Sequence, residues 1–118
     1  MTRFALRLSA LNGLLAVALG AFAAHAVSDP QAQGWLRTGA QYQMVHAVAA
    51  LAVAGRSPWA ARLFAVGALV FAAALYGLAA GLPRWLGAVA PIGGTLMIAG
   101  WAVLLIALFR SERGERPS

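Results

Sequence analysis

Four apolar stretches, at roughly residues 4–27, 36–54, 60–82 and 86–109, fill most of this 118-residue chain. Three are about 23–24 residues long and the second about 19, against the ~20 that span a ~30 Å hydrocarbon core. Every charged residue lies outside these stretches or within a turn of an end, as Arg7 and Arg62 do. The pattern predicts an all-α integral membrane four-helix bundle. One domain covers residues 1–110, and residues 111–118 form a short polar tail.

Hydrophobic residues make up 62% of the chain and charged residues 10%, where soluble domains carry about 25% charged residues. The bilayer itself is therefore the first expected partner. The net charge of +6 does not point to nucleic acid, because the arginines are scattered over both ends and all three loops rather than gathered on one face. With no Cys, disulfides, thiolate zinc sites and iron–sulfur clusters are excluded. No metal site and no cofactor are expected.

The N-terminus resembles a signal peptide in having Arg3, a following apolar run and the small-x-small triplet Ala24, His25, Ala26. The run exceeds the usual 7–15-residue core, and Asn12 interrupts it. A retained first helix is the reading preferred. Arg3, Arg7, Arg56, Arg62, Arg110, Arg113 and Arg116 fall on one side of the four spans, and only Arg37 and Arg84 on the other. The positive-inside rule puts both termini in the cytoplasm of a bacterial inner membrane. Trp35, Trp59 and Trp85 lie beside the connections, at the level where indoles settle.

Helix packing in lipid depends on small residues and interhelical hydrogen bonds. Gly13 and Gly20 on the first helix, Gly77 and Gly81 on the third, and Gly93 and Gly94 on the fourth mark seams within the bundle or an interface between copies. Pro91, about five residues into the fourth stretch, predicts a kink there.

Polar side chains inside the spans are few. Gly39, Tyr42, Gln43 and His46 fall at i, i+3, i+4 and i+7 and share one helical face. Lipid would leave their donors unpaired, so they face protein or water. Asn12 can point into the same interior, and His25 completes the candidate binding set of Asn12, His25, Tyr42, Gln43 and His46. This set is either an interhelical hydrogen-bond cluster or a small polar pocket.

These residues also carry a family resemblance. Residues 20–25 (GAFAAH), 39–46 (GAQYQMVH) and 91–94 (PIGG), with Ala99, Gly100 and Trp101, resemble the motifs of the DUF423 family. Its members are also known as UPF0382 membrane proteins, with the eukaryotic transmembrane protein 256 as a relative. Ala23 stands where the family usually has Gly, and residues 71–76 (FAAALY) stand where it tends to have a Ser/Gly-rich segment. The resemblance implies a four-helix inner-membrane protein and carries no mechanism.

Three functional readings follow. The first is an accessory or structural component that binds lipid, a larger membrane complex or a second copy. The second is a small transporter or channel for a neutral solute that uses the polar stripe on the second helix. Proton-coupled cation export is disfavoured, because the acids Asp29, Glu112 and Glu115 lie outside the spans. The third is haem binding through His25 and His46, which their unequal depths in the two helices disfavour. No catalytic set of side chains is visible, so no enzyme is expected.

Overall fold

The computed structural model describes residues 2–112. It is an all-α four-helix bundle of the membrane class. The helices are α1 (Thr2–Ala26), α2 (Pro30–Val53), α3 (Pro58–Ala79) and α4 (Ala90–Glu112), with a 3-10 helix at Arg84–Ala88 before α4. The tail beyond Glu112, with Arg113 and Arg116, lies outside the described residues.

Local chemistry sets the helix ends. Asp29 caps α2 by accepting the Ala32 amide at 2.9 Å, and Pro30 takes the first turn, where its missing N–H costs nothing. This cap starts α2 about six residues earlier than the apolar pattern alone suggests. Gln33 Nε2 then donates back to the carbonyls of Ala23 and Val27 at 3.0 and 3.2 Å, so α2 satisfies acceptors that the end of α1 leaves open. Gly81, at φ +88°, ends α3. The Leu82 amide bonds Gly77 O at 2.9 Å and the Gly81 amide bonds Leu78 O at 3.1 Å, a left-handed C-terminal cap that favours glycine.

The fourth apolar stretch is two elements rather than one helix. The 3-10 helix ends at Ala88, and Pro91 is the second residue of α4. No kink forms inside α4 at this proline, because a first-turn position has no hydrogen bond to lose.

The short connections run α1 to α4 up and down, so α2 and α4 are parallel. They flank α3, which packs against all the other elements, and every extensive contact of α4 with a long helix is with α3. Half of the apolar window of α3 is buried, against 22% for α1 and 28% for the segment ending in α4. The buried side chains of α3 are mostly small, among them Ala60, Ala61, Ala65, Ala68 and Ala72. Small residues let backbones approach where lipid removes the hydrophobic drive between helices.

The closest approach is between α3 and α4. A Cβ on Gly67 would lie 2.8 Å from the Gly93 carbonyl, and one on Gly93 would strike the Phe71 amide nitrogen. Gly20 meets Ala40 at ordinary contact distance, and Gly77 receives Leu86 of the 3-10 helix. Gly13 and Gly94 have nothing within 4 Å of a Cβ.

Among the described residues, three segments are long and apolar enough to cross a membrane: Arg3–Ala26, Pro58–Ala79 and Arg84–Glu112. The 24-residue α2 has the length but carries Gln31, Gln33, Arg37, Gln41 and Gln43, and its polarity is what builds the site.

Candidate functional site

The amides and hydroxyls of α1, α2 and α3 form one chain across the bundle. Tyr76 Oη donates to Gln43 Oε1 at 2.6 Å, Gln43 Nε2 donates to Asn12 Oδ1 at 2.9 Å, and Asn12 Nδ2 donates to the Ala65 carbonyl at 3.0 Å. The Ala65 carbonyl can only accept, so it fixes the direction of every bond before it. Asn12 and Gln43 are fully buried. Gly39 makes the chain possible, since a Cβ there would sit 2.9 Å from Tyr76 Cε1.

A second cluster joins α2, α3 and α4. Trp101 Nε1 donates to His46 Nε2 at 3.0 Å, and His46 Nδ1 lies 2.8 Å from the Tyr42 carbonyl. Indole is only a donor and a carbonyl only an acceptor. Nε2 therefore accepts, Nδ1 carries the hydrogen, and the imidazole is neutral. Phe64 packs under both rings, with centroids 5.4 Å from His46 and 4.6 Å from Trp101. Gly100 leaves the room Phe64 needs, since a Cβ there would fall 2.7 Å from its ring. Tyr42 stacks on His46 at 6.3 Å and tilts against Phe71 at 5.2 Å.

Because α4 leans on α3, a groove opens between α2 and α4, with a volume of about 490 Å³. Thr38, Tyr42 and His46 form one wall, and Met97, Ile98 and Trp101 the other. Phe71 lies at its base, and Gly94 leaves one side open. No charged side chain lines it. Among the described residues, the hydroxyls of Thr38 and Tyr42 have no hydrogen-bond partner.

The five candidate residues thus divide. Asn12 and Gln43 belong to the buried chain, and His46 and Tyr42 to the groove. His25 is exposed near the end of α1 and joins neither. It makes no contact with His46, whose Nε2 lone pair is already engaged by Trp101, so the two do not form an axial pair. Among the described residues no three His, Cys, Asp or Glu side chains gather as a metal site would require.

Trp101 and Tyr76 complete the two clusters and were not in the candidate set. The signal for Trp101 was its position. The other three indoles lie at helix ends, whereas Trp101 is mid-helix, where an N–H in hydrocarbon needs an acceptor.

The family model described as "Protein of unknown function (DUF423)" matches residues 19–94. The UPF0382 inner membrane protein YgdD of Escherichia coli K12 is 36% identical over 95% of this chain and 94% of its own length. A UPF0382 membrane protein of Haemophilus influenzae is 43% identical over 91% of this chain and 94% of its own. The UPF0382 membrane protein C1782.12c of Schizosaccharomyces pombe is 38% identical over 83% and 95%. No solved structure matches the chain significantly.

Proposed function

This chain belongs to the DUF423 family of membrane proteins, and we propose that it is a non-catalytic accessory component of the bacterial inner membrane that holds an uncharged, lipid-like molecule in the groove between α2 and α4. The pairing state of the side chains carries this reading. The buried amides of Asn12 and Gln43 are used up by Tyr76, by each other and by the Ala65 carbonyl. Both nitrogens of His46 are engaged, so no free base faces the groove to activate a nucleophile.

What the groove offers instead is two hydroxyls, Thr38 and Tyr42, one helical turn apart on an otherwise apolar and aromatic wall. Its volume of about 490 Å³ falls in the ~300–1,000 Å³ range of small-molecule sites. With no charge in the lining, a neutral occupant with a hydrogen-bonding oxygen fits better than an ion. Passage of a neutral solute through the bundle has less support, because fully buried Asn12, Gln43 and Phe64 fill the interior. The arginine distribution supports placing both termini in the cytoplasm. That orientation puts the Thr38 end of the groove toward the outer leaflet.

Native mass spectrometry of the protein released from its own membranes in mild detergent tests the reading. One small uncharged molecule is expected per chain, and it is lost in Gly94→Leu. That substitution puts a branched side chain into the groove from a position whose Cβ meets nothing within 4 Å. A bare wild-type protein, or an adduct unchanged in Gly94→Leu, contradicts the reading.

A further inference from the structure

The polar residues of α2 do not all turn inward. Its buried arc comprises Leu36, Gly39, Ala40, Gln43, His46, Ala47 and Ala50. At 100° per residue, the opposite arc is Gly34, Thr38, Gln41, Val45, Val48 and Ala52, every one exposed. These six fall at i, i+4, i+7, i+11, i+14 and i+18. That is the alternating four-three spacing of a left-handed helix pair.

This face carries no aromatic, Leu or Ile side chain, unlike the outward surfaces of α1 and α4 with Leu14, Phe22, Ile98, Leu105 and Phe109. The α2 face is small or β-branched, with Gln41 at its centre. Among the described residues, the outward polar side chains more than two turns from a helix end that lack a hydrogen-bond partner are Thr38, Gln41 and Tyr42, all on α2. Tyr42 turns into the groove, but Gln41 faces directly away from the bundle. An amide left bare in hydrocarbon costs free energy. On α4 the outward polar groups ahead of its C-terminal end are paired: Thr95 with the Pro91 carbonyl and Trp101 with His46.

We propose that this face of α2 docks on the same face of a second copy, as a parallel two-fold dimer in which the two Gln41 amides pair. On a two-fold axis along the membrane normal, like residues meet. A carboxamide is its own complement, donating from nitrogen and accepting at oxygen, so two reciprocal hydrogen bonds close the pair. Gly34, Thr38, Val45, Val48 and Ala52 let the backbones approach. Arg37 is exposed beside the seam rather than in it. This dimer does not depend on the groove being occupied.

The chain has no cysteine, so single-cysteine variants can be cross-linked by mild oxidation in native membranes without background. Gln41→Cys, Val45→Cys and Val48→Cys form disulfide-linked dimers. Leu51→Cys on the flank of α2, Leu14→Cys on α1 and Ile98→Cys on α4 do not. In the second arm, Gln41→Leu weakens self-association in bilayers by about tenfold and leaves the monomer folded, since Gln41 has no partner within it. Equal cross-linking at seam and control positions overturns the proposal, as does none at the seam. Cross-linking of the seam to a different protein, or an unchanged dimer in Gln41→Leu, overturns it equally.

Discussion

The indole N–H of Trp101 lies 3.0 Å from His46 Nε2, and this bond ties α4 to α2 across a groove where the two helices share little other contact. It also settles the chemistry of the histidine. A ring that accepts at Nε2 and donates at Nδ1 is neutral and has no lone pair left for a ligand or a proton transfer.

Trp101→Phe keeps the ring and removes the donor. The exchange is expected to cost about 0.6 kcal/mol, the average for interhelical hydrogen bonds in membranes. Reversible unfolding in bicelles measures it. A double-mutant cycle with His46→Phe should return a coupling of similar size, because Trp101 bonds that ring and no other acceptor.

Gln43→Leu is expected to be worse. It strands Asn12 Oδ1 and the Tyr76 hydroxyl together, at about 1–3 kcal/mol for buried groups left unpaired. Adding Asn12→Leu to it should cost less than the two single losses combined, since both act on one chain of bonds. Additive losses in the same unfolding experiment would mean that the two amides do not meet.

The glycines divide by position. Gly100→Ala and Gly93→Ala lower the melting temperature, because the added methyl meets the Phe64 ring in one case and the α3 backbone in the other. Gly13→Ala and Gly94→Ala raise it or leave it unchanged, since each has open space and Ala favours helix by about 1 kcal/mol. Parallel thermal melts of the four variants give the ranking.

Orientation has its own check. A C-terminal fusion to a green fluorescent reporter should fluoresce, and a fusion to a periplasm-dependent phosphatase should be inactive. The reverse pattern would place the termini outside, against the arginine count.

How much of this was legible in the sequence follows from what each signal measures. Length and hydropathy expose the helices, because a bilayer demands about 20 apolar residues in a row. They do not expose helix ends. Asp29–Pro30 starts α2 inside a stretch rich in Gln, and Pro91 opens α4 rather than bending it, because capping acts through single residues that an apolar average hides. Asn12 and Gln43 stand out as amides in apolar helices, and the structure joins them. Their partners are less legible. Trp101 is marked by its mid-helix position and Tyr76 by a hydroxyl within a span, but which helix each one bonds follows only from the packed bundle. The split of α2 into an inward face with Gln43 and an outward one with Gln41 follows only from knowing which arc the bundle buries.

Ligand-induced stabilisation tests the groove between α2 and α4 most directly. The protein is purified in mild detergent, and its melting temperature is measured before and after addition of a neutral-lipid extract of its own membranes. Binding to the folded state alone raises the melting temperature. The wild type should be stabilised, and Gly94→Leu, with a side chain obstructing the groove, should not. An equal rise in both proteins, or none in the wild type, would contradict the groove as a binding site.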